Sequence, residues 1–377
     1  MAEKIKTLGT VAEYINGRAF KPDEWEKIGK PIIRIQNLTQ STEVCNRTTK
    51  NFDGKFSITK GDLLFSWSAT LGAFIWQGED AWLNQHIFKV IPNDDVEKLY
   101  LYYYLKFAVD KLQEKTHGSG MVHITLKPFK DTEIPLPPID EQKRIVARLE
   151  SLFSKLDSAK EKVQTVLDGY ELRRSAILHK AFTGELSKKF RAENNLSLDD
   201  WHEVTMDDIF TLKAGKNISA TEISSVQTPV NQYPCFGGNG IRGFVNSYNS
   251  EGNFPIIGRQ GALCGNINMA TGKFYATEHA VVVTFKKKIE SKWAENYLRY
   301  LNLNQYATAT AQPGLAVKKI LKVKINYIPF AEQKEIVRVL GSLLVKEQRT
   351  KEIAENILRE IELLKKLILA RAFRGEL

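Results

Sequence analysis

Ala181-Phe182-Thr183-Gly184-Glu185-Leu186 returns as Ala372-Phe373-Arg374-Gly375-Glu376-Leu377, and Glu141-Gln142-Lys143 returns as Glu332-Gln333-Lys334. Both pairs share one offset of 191 residues, so the segment between them has the same length in each copy. Ile145-Val146 and Leu149 travel with them as Ile336-Val337 and Leu340. Matches at both ends of one register mark an internal duplication. Upstream, at an offset of 193, Leu64 pairs with Ile257, Gly72 with Gly265 and Trp82 with Tyr275. His86 pairs with His279, Tyr104 with Tyr297 and Leu105 with Leu298. Val11, Ile15 and Gly17 match Ile209, Lys213 and Gly215 at an offset of 198. The order is globular domain, linear segment, globular domain, linear segment.

The linear segments read as long helices. In the first, Ile145, Leu149, Leu152, Leu156, Ala159, Val163, Val166 and Tyr170 recur at alternating spacings of four and three, the seam of a coiled coil. The second runs Ile336, Leu340, Leu343, Glu347, Thr350, Ala354, Ile357, Ile361 and Leu364, with Glu347 and Thr350 interrupting the apolar series. Pro137-Pro138 and Pro329 stand before the helices, Asp140 suits an N-cap, and Gly184 and Gly375 lie where a helix should stop. About 40 residues of helix reach roughly 60 Å. Such a helix does not bury its seam within itself, so the two are expected to pair. A pseudo-two-fold relation would make them antiparallel, with the globular domains at opposite ends. The competing reading packs each helix on its own domain.

The fold class expected is α+β: two globular α/β domains separated by a pair of long antiparallel coiled-coil helices. Residues 1–135 form the first domain, 136–187 a central helical spacer and 188–200 a polar linker. Residues 201–327 form the second domain and 328–377 a C-terminal helical spacer. Strands are expected over 31–38, 62–67 and 86–91, with later counterparts over 255–260 and 279–285. Amphipathic helices are expected near 96–112 and 291–301.

At 377 residues, with 43% hydrophobic and 26% charged residues, the chain suits several soluble domains. Three scattered cysteines exclude a disulfide framework and leave no CxxC pair for zinc. No signal-peptide core and no stretch of 18 apolar residues is present, so a cytoplasmic protein without membrane contact is expected. Gly238-Asn239-Gly240-Ile241-Arg242-Gly243 satisfies GxGxxG formally, but the residues around it favour strands and turns, so a hairpin or DNA-facing loop is expected rather than a cofactor site. No phosphate-binding GxxxxGK[ST] loop occurs, nor the Asn-Pro-Pro-aromatic or Asp-Pro-Pro-aromatic tetrapeptide of adenine methyltransferases. The six histidines lack metal spacing. The chain therefore reads as no enzyme and as binding no metal or cofactor.

A net charge of +10 points toward a polyanionic partner. Arg and Lys neutralise phosphates, while Arg, Asn and Gln address base edges. The duplication separates these roles: positions shared by the copies should hold the fold or the uniform backbone, and divergent loop positions should read sequence. On that test Ser66 against Arg259 and Trp67 against Gln260 are candidates. Arg34, Gln36, Asn37, His117 and Ser119 add polar groups in the first domain. Lys216, Asn217, Asn239, Arg242 and Gln312 do so in the second. A duplicated protein-interaction adaptor is the second reading; it should show little binding to random duplexes, whereas a DNA reader should bind with steep salt dependence.

The stretch Ile134-Pro135-Leu136-Pro137-Pro138-Ile139-Asp140-Glu141-Gln142, its echo Ile328-Pro329-Phe330-Ala331-Glu332-Gln333 and the paired AFxGEL endings resemble the specificity subunits of type I restriction-modification systems. The resemblance spans essentially the whole chain. It implies two target recognition domains, each reading one half of a bipartite double-stranded DNA target, and helices that fix the spacer and dock two methyltransferase subunits. Motor-nuclease subunits that join such systems would use ATP and Mg, and the methyltransferases S-adenosylmethionine. None of these cofactors would belong to this chain. The shortened proline run at Pro329 and the seam break at Glu347 and Thr350 depart from the pattern.

Overall fold

The computed structural model describes residues 4–114, 124–261, 263–308 and 313–377. Two compact units divide the chain, Met1–Gln164 with Asn356–Leu377 and Thr165–Glu355. In the first, the strands are β1 (Lys4–Thr7), β2 (Ala12–Asn16), β3 (Lys30–Ile33), β4 (Asn46–Thr48), β5 (Ser57–Ile58), β6 (Leu63–Ser66), β7 (Gly72–Ile75), β8 (Ala81–Leu83), β9 (Ile87–Pro92) and β10 (Glu133–Leu136). An antiparallel sheet has the order β2-β9-β6-β7. A mixed sheet runs β4-β3-β8-β5, and β1 pairs with β10. The helices are α1 (Leu8–Val11), α2 (Ile35–Leu38), α3 (Lys98–Glu114) and α4 (Leu126–Lys130).

The second unit repeats the plan. Its strands are β11 (His202–Thr205), β12 (Phe210–Ala214), β13 (Tyr233–Gly237), β14 (Gly240–Val245), β15 (Ser250–Glu251), β16 (Phe254–Gly258), β17 (Ile267–Ala270), β18 (Lys273–Ala276), β19 (Ala280–Phe285) and β20 (Lys324–Tyr327). The sheets are β12-β19-β16-β17, β14-β13-β18-β15 and β11-β20, each matching one in the first unit. The long helices are α5 (Ile139–Asp168) with α6 (Tyr170–Phe182), and α11 (Phe330–Ala372). Between them come α7 (Lys188–Glu193), α8 (Met206–Ile209), α9 (Ser291–Tyr300) and α10 (Val317–Ile320).

The strand expected over 31–38 ends at Ile33, and α2 follows. Asn37 is the cause: its Oδ1 accepts the Arg34 amide at 3.0 Å, and its amide donates to the Val44 carbonyl at 3.1 Å. This side-chain turn outcompetes continued extension. The polar residues after α6 are also structured. Arg191 on α7 is buried and donates to Glu332 at 2.7 Å, to Ser187 at 2.8 Å and to the Gly184 carbonyl at 2.7 Å, while Trp201 donates to the other Glu332 oxygen at 2.9 Å.

The repeated Glu-Gln-Lys has one physical job in each unit. Gln142 is fully buried, accepts the Glu97 amide at 2.8 Å and donates to the carbonyls of Asp95 and Pro137 at 3.0 and 2.8 Å. Gln333, equally buried, accepts the Glu290 amide at 2.8 Å and donates to the Ile328 carbonyl at 2.9 Å. The staple fastens the root of each long helix to the helix of its own domain. Ile145 and Leu149 accordingly lie in the first domain's core, as Ile336 and Leu340 lie in the second's.

Each core also takes in the end of the other repeat's helix. Phe373, at the close of α11, packs on Tyr100, Tyr104 and Phe107 of α3 with ring centroids 5.3, 5.2 and 5.5 Å away. Phe182, closing α6, packs on Trp293, Tyr297 and Tyr300 around α9 at 6.4, 4.8 and 5.2 Å. Gly184 and Gly375 follow in the left-handed region, at φ +87° and +73°, and turn the chain away. Both packing schemes considered from the sequence therefore coexist: helix starts pack on their own domain and helix ends on the other.

The helices are antiparallel within each unit. In the first, Lys160 meets Glu362 at 2.7 Å and Asp157 meets Lys365 at 2.5 Å. In the second, Arg173 meets Glu347 at 2.8 Å, Tyr170 donates to Gln348 at 3.0 Å, and Lys351 lies over the Tyr170 ring. Leu152, Leu156, Val163, Tyr170 and Leu343 are half-buried along the seam, and Ile361 is buried. Val166, Ile357 and Leu364 are exposed instead, by 38, 37 and 44%, and the neighbouring Leu167, Leu358 and Lys365 take the inward positions. From Ile336 to Ala372 the covered positions advance ten steps in 36 residues. That is the 3.6-residue period of a straight α-helix, which drifts off a strict heptad.

Glu347 does not weaken the seam, because Arg173 reaches it. The same guanidinium donates to the Val166 carbonyl at 3.0 Å, beside the junction of α5 and α6. A Cβ at Gly169 would sit 2.6 Å from an Arg173 nitrogen, so glycine there opens the path of the side chain.

Two outcomes follow from this packing. Phe373→Ala or Phe182→Ala should cost about 3–5 kcal/mol of the stability of the core concerned, read as faster hydrogen exchange in α3 or α9 respectively. Arg173→Glu should lower the thermal unfolding midpoint, and adding Glu347→Arg should restore most of the loss, with a coupling of about 1 kcal/mol or less. A midpoint unmoved by Arg173→Glu would show that the pair contributes nothing to helix pairing.

Candidate nucleic-acid interface

In each domain the β2-β9-β6-β7 type of sheet brings three loop ends together. In the first, the Gly17 amide donates to the Ile87 carbonyl at 3.0 Å and the Arg18 amide to the Leu83 carbonyl at 2.8 Å, while the Trp67 amide meets the His86 carbonyl at 3.2 Å. In the second, the Gly215 amide donates to Ala280 at 3.0 Å, the Lys216 amide to Ala276 at 3.0 Å and the Arg259 amide to His279 at 2.9 Å. The Trp67 carbonyl accepts from Ile124 at 3.1 Å and the Arg259 carbonyl from Leu315 at 2.9 Å.

These bonds correct the alignment of the two copies. Leu64 lies opposite Lys89 and Ser66 opposite Ile87, whereas Ile256 lies opposite Val282 and Gly258 opposite Ala280. The strand β6 therefore matches β16 at an offset of 192, not 193, so Trp67 corresponds to Arg259 and Ser66 to Gly258. The extra residue sits between β16 and β19. Sequence matching alone absorbs such a loop change into the wrong strand, and one step of slip turns every side chain to the opposite face.

The side chains fall into distinct groups. Ser66 is fully buried and donates to the Thr70 carbonyl at 2.5 Å, so it presents nothing to a base edge. Asn37 is committed to its own turn. Arg34 and Gln36 are exposed beside it. Trp67 is half-buried, donating to Asn16 at 3.0 Å with its ring against His86 at 5.4 Å. In the second domain Lys216, Asn217, Asn239, Arg242 and Gln260 are exposed and Arg259 half-buried. Asn239 lies in the tight connection between β13 and β14, where Gly237 pairs with Gly240, and accepts from Asn266 at 2.9 Å. The GxGxxG string is thus a hairpin. His117, Ser119 and Gln312 lie outside the described residues.

Charge is spent differently at the matching positions Arg18 and Lys216. Arg18 holds both oxygens of Glu24, at 2.7 and 2.6 Å, and stacks over Phe52. That bidentate hydrogen bond pulls the Glu24 carboxyl down to about 2. Lys216 is exposed. Among the described residues no group of three or more His, Cys, Asp or Glu stands where it could hold a metal ion, and no helix is long and apolar enough to cross a membrane.

Comparison with known proteins agrees with this geometry. The type I restriction modification DNA specificity domain matches twice, over residues 3–167 and 198–363. The specificity subunit of the type I restriction enzyme EcoprrI of Escherichia coli is 31% identical over 331 residues, covering 83% of this chain and 79% of that protein. The EcoBI specificity subunit of Escherichia coli is 25% identical, with 98% and 85% covered. A chain solved in work on complex assembly and conformational transition of the type I R-M system shares the fold, with a TM-score of 0.77 at 20% identity, covering 99% of this chain and 98% of that one. The HsdS subunit from Thermoanaerobacter tengcongensis gives 0.64 at 20% identity, with 99% and 97% covered. With two copies of the domain accounting for most of its length, the chain belongs to the family of type I restriction-modification DNA specificity subunits, the non-catalytic recognition component of those systems.

Proposed function

We propose that each domain reads one half of a bipartite double-stranded DNA target through the loop ends around Trp67 and Arg259, with Arg34, Gln36, Lys216, Asn217, Asn239, Arg242 and Gln260 contributing to the two surfaces. The exposed basic side chains meet phosphates, and the divergent ones meet base edges. The helices set the unread spacer and dock two methyltransferase subunits, which hold S-adenosylmethionine. Motor-nuclease subunits using ATP and Mg join the same assembly. The complex works in the cytoplasm, where the DNA is.

The observation that carries this reading is that two copies of one domain, alike in scaffold and different at the loop ends, are each stapled to the same helix pair. One domain alone discriminates by about 1–3 kcal/mol per base pair over a short site. Joining two makes the second encounter intramolecular and multiplies selectivity.

Inserting four residues, about one helical turn or ~6 Å, into α5 and into the matching part of α11 should lengthen the spacer by about two base pairs. Sequencing of methylated DNA from cells carrying the intact system checks this. Unchanged half-sites at a longer spacing are expected, and altered half-sites at constant spacing would contradict the ruler role.

A further inference from the structure

The corrected alignment exposes a second divergent position beside the first. The turn between β8 and β9 is closed by the Ile87 amide donating to the Asn84 carbonyl at 3.2 Å, and its counterpart by the Ala280 amide donating to Thr277 at 2.9 Å. Asn84-Gln85-His86 thus corresponds to Thr277-Glu278-His279. The histidine is common to both, and its carbonyl receives the amide of Trp67 in one domain and of Arg259 in the other. On either side of that shared backbone bond the side chains differ, Trp67 with Gln85 against Arg259 with Glu278.

The chemistry differs as sharply. Gln85 lies 3.2 Å from the His86 ring nitrogen and carries both a donor and an acceptor. Glu278 has one oxygen 3.1 Å from His279, while its other oxygen is buried with no hydrogen-bond partner. The Glu278 side chain as a whole is 37% exposed, so a rotation of the carboxylate brings this unpartnered oxygen to a donor outside the fold. Arg259 offers only donors and Glu278 only acceptors, matching the O6 and N7 of guanine and the N4 amine of cytosine. A glutamine matches the N6 and N7 of adenine, and a tryptophan rim, its N–H already given to Asn16, suits the thymine methyl.

We infer that this strand end and turn form the base-selecting element of each domain, with Arg259 and Glu278 selecting a G·C pair and Trp67 and Gln85 an A·T pair. The inference rests on the two-half-site reading above and names the base pair that each half requires.

Methylated-motif sequencing of cells carrying the intact system with Glu278→Gln or Gln85→Glu tests it. Glu278→Gln should relax a G·C requirement at one position of one half-site by on the order of ten- to hundredfold. Gln85→Glu should relax an A·T requirement in the other half, and neither should alter the spacer. If Glu278→Gln removes all methylation, Gln85→Glu in the other domain decides. A wild-type strain without a two-part methylated motif would overturn the reading of function itself. A two-part motif that both variants leave unchanged, or a change at the wrong kind of base pair, would overturn only this assignment.

Discussion

Each globular core is completed by a phenylalanine that arrives from the far end of the other repeat's helix, and this constraint organises the rest of the molecule. Phe373 fills the aromatic pocket of α3 and Phe182 that of α9, while Gln142 and Gln333 fasten the opposite helix starts to the same domains. A domain so built is incomplete without both helices. The helices in turn have their roots and tips buried rather than frayed. Duplication explains how one sequence motif comes to serve both ends: the Glu-Gln-Lys root and the AFxGEL tip are the two halves of one joint.

The seam between the helices is not a uniform apolar stripe. Glu347, Lys351 and Lys365 occupy inward positions on α11 and are met by Arg173, Tyr170 and Asp157. Partly exposed ion pairs of this kind add little stability. Their value is in register, since a shift of one turn would set Arg173 against Leu343 or Lys351 in place of Glu347. A spacer used as a ruler needs a fixed register more than it needs a deep energy minimum.

Much of this was legible in the residues. The duplication, the long helices, their antiparallel sense and their end points follow from spacing and from Gly184 and Gly375. What was not legible has physical causes. Asn37 ended a strand through its own side-chain turn, which strand periodicity does not register. Val166, Ile357 and Leu364 rotated outward because a straight helix advances 3.6 residues per turn while the seam was read at 3.5. Ser66 and Trp67 were matched one residue out, because a single extra residue between β16 and β19 is invisible until hydrogen-bond partners are known. The pairing of the candidate reading residues therefore shifted by one position.

Native-state hydrogen exchange on the full chain tests the central packing claim directly. Amides of the last turns of α11, from Leu369 to Phe373, should exchange together with those of α3 from Tyr100 to Leu105, at the same opening free energy. If the end of α11 exchanged freely, at rates typical of a frayed terminus, while α3 remained protected, the claim that each core requires the other repeat's helix would be contradicted.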